Sequence, residues 1–275
     1  MRKRITFLTA ILPVLIASDA FAGAWTQKKG GYYLKLSGGY LNTTQDINAA
    51  GDKVLKDGEG ELRDVNMTAY MEYGITDELT LVATAPYKIV KDTRTFQTGT
   101  ALDRRWGFGD VEVRMRRLLW NRDFVASVAA GGKIPTWYEE DESTRVPLSS
   151  KKIDGDARLL VGKSLYPLPG YVTGEMGYRV RGGTFSNEWF YTLEAGITYD
   201  RVLIKGFISG IRTFGDCEPA DEVDLIGDQN ILKISPGIIY KLNSRVELSV
   251  DLIHIASGCN TTAGNTFFVG VALKR

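Results

Sequence analysis

The sequence predicts an all-β protein, a twelve-stranded antiparallel transmembrane β-barrel. Three observations predict it: a secretory signal at the N-terminus, twelve segments in which apolar and polar residues alternate, and connections that are long and short in turn. A single barrel domain of roughly 250 residues fits the 275-residue chain. The 30 glycines, 13 tyrosines and only 8 prolines suit strands and turns better than helices.

The N-terminus has the anatomy of a cleaved signal peptide. Met1 precedes the basic run Arg2-Lys3-Arg4, residues 5–18 form an apolar stretch, and Ala20-Phe21-Ala22 matches an A-x-A cleavage site. We therefore predict cleavage after Ala22, with residues 1–22 as the signal and residues 23–275 as the barrel. No later apolar run approaches the ~20 residues that a membrane helix needs.

Alternation with a period of two marks six strands in the first half of the mature chain. In the first strand, Leu34 and Leu36 share one face while Lys35 and Ser37 share the other. The six candidate strands span residues 32–41, 65–73, 79–89, 111–119, 124–134 and 156–166. The polar stretches 42–63, 91–105 and 135–154 are predicted to be loops.

Six more strands follow in the second half. Their clearest example is the eighth, in which Trp189, Tyr191 and Leu193 alternate with Glu188 and Thr192. The ninth is apolar on both faces, so its orientation stays open. The six strands span residues 172–180, 188–199, 202–214, 232–240, 246–252 and 267–273. Residues 181–187, 215–228 and 257–264 are predicted to be loops.

The connections indicate a membrane barrel rather than a soluble sandwich. Long polar loops alternate with tight turns, and single-chain outer-membrane barrels have an even strand number, short periplasmic turns and long extracellular loops. Aromatic residues flank both kinds of connection, as with Tyr73 beside a turn and Trp189 beside a loop, which is typical of the two interfacial girdles. We therefore expect the outer membrane of a Gram-negative bacterium, with both termini periplasmic.

If the apolar faces meet lipid, the opposite faces line a polar lumen. Charges there need either water or partners, so they either form the wall of a pore or pair across the lumen and hold its shape. Arg114 and Arg116 would form a basic ladder with Glu112, opposite the acidic seventh and eighth strands. The lumen-lining candidates are Glu72, Lys88, Glu112, Arg114, Arg116, Lys133, Arg158, Glu175, Arg179, Glu194, Lys205, Lys233 and Asp251.

The two cysteines, Cys217 and Cys259, fall in consecutive predicted extracellular loops. Export delivers them to an oxidising compartment, where paired loop cysteines form disulfides. We predict a disulfide between them. Two free thiols or a metal site are the alternatives, although only one histidine could support a metal.

That histidine raises the question of hydrolysis. Some outer-membrane barrel hydrolases use a His and a Ser two residues apart on one strand face. His254 and Ser257 are three apart, which places their side chains on opposite faces unless a bulge intervenes. We expect no catalytic role for either residue.

Several other functional classes lack sequence support. The net charge is +1 and no basic run follows residue 4, so we expect no nucleic-acid partner. The chain contains no Gly-rich phosphate loop, zinc-ligand spacing or dinucleotide fingerprint, so we expect no cofactor and no resident metal. The sequence predicts a protein that is not an enzyme.

Short motifs resemble a known barrel family. The stretch from Glu72-Tyr73-Gly74 to Leu79-Thr80-Leu81, with Ala85-Pro86-Tyr87 after it, and the run Gly107-Phe108-Gly109-Asp110-Val111 are similar to the family of outer-membrane barrels named for the MetA-pathway of phenol degradation, also described as transporter-like. The resemblance implies a channel, with small aromatic or other hydrophobic compounds as candidate solutes. The chain ends in Leu273-Lys274-Arg275 rather than in the aromatic residue usual for such barrels.

Three functions follow as hypotheses. The first is a monomeric passive channel for a small-molecule solute, embedded in outer-membrane lipid and lipopolysaccharide. The second is a structural or surface-interaction barrel, such as an adhesion or biofilm-related factor, that works through its long charged loops. The third is an outer-membrane lipid hydrolase. The sequence leaves open which solute passes, and whether loops or residues 23–31 plug the lumen.

Overall fold

The computed structural model describes residues 23–56, 59–96, 99–136, 148–217 and 228–275. The predicted signal peptide, residues 1–22, lies outside them. The strands are β1 (Tyr32–Thr43), β2 (Gln45–Ile47), β3 (Lys53–Leu55), β4 (Glu61–Gly74), β5 (Leu79–Phe96), β6 (Gly99–Phe108), β7 (Val111–Asn121), β8 (Val125–Ile134), β9 (Asp154–Ser164), β10 (Gly170–Val180), β11 (Glu188–Tyr199), β12 (Val202–Thr213), β13 (Asn230–Lys241), β14 (Val246–Cys259), β15 (Thr261–Thr262) and β16 (Asn265–Lys274).

The long strands form a closed antiparallel barrel. Each pairs with its neighbour in sequence, and β1 pairs with both β4 and β16, which closes the ring. Strands β6 and β7 pair in succession with β5 and together make one barrel strand. The barrel therefore has twelve strands, which confirms the predicted fold class. In the described part of the chain, no helix is long and apolar enough to cross a membrane.

Pro86 explains why one barrel strand is broken in two. Proline has no N–H to give to a neighbouring strand. Its carbonyl accepts a hydrogen bond of 2.8 Å from Gly109 N, and Gly109 and Asp110 separate β6 from β7. Backbone pairing with β5 resumes in β7, where Glu112 is opposite Thr84.

Three predicted loops are partly strand. Residues 91–105 belong mainly to a hairpin, because β5 continues to Phe96 and β6 begins at Gly99. Residues 42–63 contain β2, β3 and the start of β4, and residues 257–264 contain the end of β14 and all of β15. The short strands pair in the order β15-β2-β3, as a small sheet at the loop end of the barrel.

Side chains alternate between the outer wall and the lumen as the period predicts. Leu36, Leu193 and Val269 are 47%, 60% and 62% exposed on the outer wall, whereas the inward Glu72 and Glu194 are buried. The structure also gives the orientation of the ninth predicted strand, β12, which the sequence left open. In β12, Leu203 and Lys205 are buried inside, while Ile204 and Ile208 are exposed outside.

Both ends of the barrel wall lie at the turn end. Tyr32 and Arg275 exchange backbone hydrogen bonds, with Arg275 N donating to Tyr32 O at 3.0 Å. The first and last residues of the wall therefore share the end that carries the short turns.

Candidate functional site: the barrel lumen

The structure places all thirteen candidate lumen residues on inward-facing strand positions. Glu72, Arg114, Arg116, Lys133, Glu194, Lys205 and Asp251 are buried, and Lys88, Glu112, Arg158, Glu175, Arg179 and Lys233 are partly buried. Most of them are joined into three ion-pair clusters.

The central cluster combines β7, β9 and β10. Arg114 donates to Asp156 through both Nε and Nη2, the latter at 2.9 Å, and its Nη1 lies 2.8 Å from Glu112. Arg158 pairs with Asp156 at 2.8 Å and with Glu175 at 2.6 Å, and so links the two carboxylates. A forked guanidinium that binds carboxylates in this way is held more rigidly than a lone surface pair. The basic ladder predicted on β7 is therefore neutralised by neighbouring carboxylates.

A second cluster lies toward the loops. Lys133 is 2.9 Å from both Asp110 and Asp154. Arg179 is 2.6 Å from Glu188, and Arg181 links Glu188 to Asp154 at 3.8 Å and 3.7 Å. These pairs connect the upper parts of β8 to β11.

A third cluster lies on the opposite side of the barrel. Asp251 is 3.2 Å from Lys35 and 3.4 Å from Lys205, and Lys205 is also 3.5 Å from Glu194. The cluster thus ties β1, β11, β12 and β14 together across the inner wall.

The turn end of the lumen holds the N-terminal plug, which we define as residues 23–31. Arg116 pairs with Glu72 at 2.8 Å and also donates to Gly23 O at 2.8 Å. Gln27 donates through its side chain to Glu72 at 2.7 Å and through its backbone N to Thr80 Oγ1 at 2.8 Å. Polar wall residues at this end therefore bind the chain's own backbone.

Trp25 anchors the plug. Its ring contacts the backbone of Gly162, where a Cβ would lie 2.6 Å from the ring, and makes an edge-to-face contact with Tyr171 at 6.3 Å. Beside it, Ala24 is fully buried against Val125 and Leu160. Gly162 thus gives the indole a place that any larger residue would fill.

Part of the long loop after β8 folds inward at the other end. Leu148 is buried against Val90, an inward residue of β5, and Lys133 Nζ donates to Ser150 Oγ. Burial and the charge of Arg105 lower the pKa of the Lys151 ammonium in this loop. The lumen is therefore narrowed at both ends.

Lys88 and Lys233 face the lumen between these two constrictions. On β5, Lys88 lies between Thr80, which binds the plug, and Val90, which packs against Leu148. Lys233 is on the opposite side of the barrel, close enough to Lys88 and Glu112 for their charges to act on it. Among the residues that the structure describes, neither lysine makes a hydrogen bond or an ion pair. Both side chains are only partly buried, so they face open space inside the barrel.

Several partners in these networks were missing from the predicted set. Lys35 lies on the face predicted to be polar, and strict alternation could have found it. Asp154 and Asp156 lie at or beyond the predicted start of their strand. The plug residue Gln27 gives no periodic signal, because it does not belong to a strand.

The predicted disulfide is present over the loop end. Cys217 and Cys259 are bonded, with their Cα atoms 6.2 Å apart. Asn230 Nδ2 donates to Cys217 Sγ at 3.0 Å. The bond fixes the end of β14 to the connection between β12 and β13.

The structure corrects the expected placement of His254 and Ser257. A bulge in β14 lies between them, because Lys233 pairs with Ile255 whereas Leu232 pairs with Ser257. Both side chains therefore project from one face of the sheet, not from opposite faces. The imidazole Nδ1 of His254 is 2.7 Å from Asn265 Oδ1 on the adjacent strand.

The fold has counterparts among solved structures. An outer membrane channel from Pseudomonas putida F1 is 12% identical with a TM-score of 0.68, and the match covers 93% of this chain and 99% of that one. The NanC porin is 8% identical with a TM-score of 0.53, over 88% of this chain and 100% of that one. No protein-family model matches the sequence, and no curated protein is similar to it. The chain therefore shares the closed antiparallel β-barrel fold of these two outer-membrane proteins.

Proposed function

We propose that this barrel is a passive channel for small solutes. The observation that carries the proposal is the position of Lys88 and Lys233, which face the lumen between the plug and the inward loop and are only partly buried. A hydrated lumen lowers the energetic cost of moving a polar solute across the bilayer. In this function the turn end and both termini face the periplasm, as the short turns of such barrels do.

The plug supports a gated rather than a permanently open channel. It is held by hydrogen bonds with the side chains of Arg116, Thr80 and Glu72, and by the aromatic contact of Trp25. It lies inside the wall without being part of it, so its release would leave the strand pairing of the barrel intact. The family resemblance adds small aromatic or hydrophobic compounds as candidate solutes.

The test combines two measurements on the purified protein. Planar-bilayer recording is expected to show discrete openings, and liposome swelling is expected to show uptake of small solutes. A variant that lacks residues 23–27 should conduct more than the full mature chain. Absence of both conductance and uptake, in the wild type and in this variant, would refute the channel.

One observation favours a second candidate, a structural barrel at the cell surface. The ion pairs span several strands, as the Lys35–Asp251–Lys205 series does, and the disulfide fixes the loop end. Such a barrel would keep its permeability after the loops are shortened but would lose surface binding. The two candidates therefore differ in which change abolishes function.

A further inference from the structure

We propose that Lys88 and Lys233 form an anion-binding constriction that makes the lumen selective for small carboxylates. This inference rests on the proposed channel function and names the class of solute for it.

The positions of the two lysines follow from strand register. Lys88 pairs with Asn66 on β4 and Gly107 on β6, and Lys233 pairs with Ser209 on β12 and Ile255 on β14. Strand β5 is third and β13 is tenth around the twelve-strand ring, so the two strands lie nearly opposite. The two lysines therefore face the lumen from nearly opposite walls, near enough for the charge of Lys88 to act on Lys233.

Carboxylates near this pair do not neutralise it. The carboxylate of Glu112 acts on Lys233, but it is held by Arg114 at 2.8 Å and also faces Arg158 and Arg179. Asp64 is the inward acid nearest to Lys88 in register, since it pairs with Val90, yet the described residues contain no ion pair between them. Within the described residues, the two ammonium groups are thus left without an ion-pair partner.

The repulsion between the lysines is relieved by an anion placed between them. A carboxylate has two oxygens and can accept a charge-assisted hydrogen bond from each side. Phe207 lies next to this position, since it pairs with Ser235, the next inward residue of β13 after Lys233. An aromatic carboxylate could therefore place its ring near Phe207 and its charge between the lysines.

The constriction should bind weakly and should pass ions. A selective pore needs a site attractive enough for the solute to enter and weak enough for it to leave. Two opposed, partly buried lysines meet this requirement better than the buried ion pairs around Arg114. The ion pairs of the arginines stabilise the wall, and the lysine pair binds the solute.

The experiment uses benzoate as the probe and has two independent readouts. Saturation-transfer NMR on the mature protein in detergent measures benzoate binding without any need for conductance. Reversal potentials in a KCl gradient measure whether chloride or potassium passes more easily. The variants are Lys88→Gln, Lys233→Gln and the conservative Lys88→Arg, and the matched control is Lys163→Gln, which removes an exposed lysine near the turn after β9.

Wild type, Lys88→Arg and the control are expected to bind benzoate and to favour chloride. Each glutamine variant should bind roughly tenfold more weakly, the change expected for the loss of one charge-assisted hydrogen bond. The reversal potentials of these variants should move toward zero. Heat modifiability on gels confirms that each variant is folded.

The outcomes separate the two proposals. Benzoate binding that depends on the lysines, in a protein that never conducts, would refute the channel and retain the anion site. Conductance without chloride preference, or benzoate binding unchanged in both glutamine variants, would overturn the anion site and leave the channel. Equal losses in Lys163→Gln would also overturn it, because the effect would then reflect net charge alone.

Discussion

At the scale of single residues, the lumen joins buried charges to partners on neighbouring strands. Glu72 is 1% exposed and bonds Arg116, Gln27 and Tyr70, with the Tyr70 hydroxyl donating at 2.6 Å. Removal of one partner from such a group leaves a buried charge uncompensated, which is more destabilising than removal of an exposed pair. These residues therefore determine the shape of the lumen even where they do not meet a solute.

Sequence reasoning assigned charged residues to the inner face but could not assign their partners. A period of two fixes which side of the wall Arg114 occupies. Its bond to Asp156 depends on how β7 and β9 are positioned on either side of β8, which no local pattern encodes. For the same reason, the sequence predicts a basic ladder where the folded protein pairs each arginine with carboxylates of nearby strands.

His254 provides a residue-scale prediction about catalysis. The bulge in β14 brings His254 and Ser257 onto one face, but the imidazole is bonded to Asn265. We expect purified wild type and the His254→Ala variant both to hydrolyse phospholipid no faster than a sample without protein. Asn265→Ala is the matched control, since it frees the imidazole without removing it. Hydrolysis that requires both His254 and Ser257 would revive the hydrolase hypothesis.

At the scale of strands, alternation in the sequence predicts the central part of each strand better than the ends that extend toward the loops. Lipid requires an apolar outer face, which produces the alternation. Beyond the membrane that requirement ends. In β6, Trp106 is 59% exposed at the outer wall, whereas Arg104, the next outward residue toward the loop end, faces water. The hairpin of β5 and β6 therefore looked like a polar loop although its backbone pairing continues to Phe96 and Gly99.

A single strand can test the orientation of the wall. Val269 lies in the middle of β16 and is 62% exposed on the outer face. We expect Val269→Arg to lower the free energy of unfolding in lipid by about 2–4 kcal/mol, because the guanidinium would lie near the bilayer midplane. Reversible denaturant unfolding in liposomes measures the change.

Leu273 supplies the control on the same face of the same strand. It pairs with Val246 beside a short turn, so Leu273→Arg should cost only about 0–1 kcal/mol near the interface. Equal costs at the two positions would contradict the placement of the membrane across β16.

At the scale of the whole molecule, the barrel wall and the plug are held by different forces. The wall is a closed ring of backbone hydrogen bonds with no free edge. The plug depends on a few side chains, with Trp25 against Gly162 as its main apolar contact. A change at this contact should therefore act on the plug without unfolding the wall.

The contact between Trp25 and Gly162 can be changed from either side. Trp25→Ala removes the indole, and Gly162→Val fills its place with a side chain, since a Cβ there would lie 2.6 Å from the ring. Loss of this burial should weaken plug docking by about 2 kcal/mol, which shifts the balance of docked and released plug roughly thirtyfold. Both variants should raise the open probability in bilayer recordings, while Trp120→Ala, which changes a tryptophan on the outer wall, should not. If Trp25→Ala and Gly162→Val both conduct like the wild type while remaining folded, the plug does not gate the lumen, and the closed state must instead depend on the inward loop at Leu148.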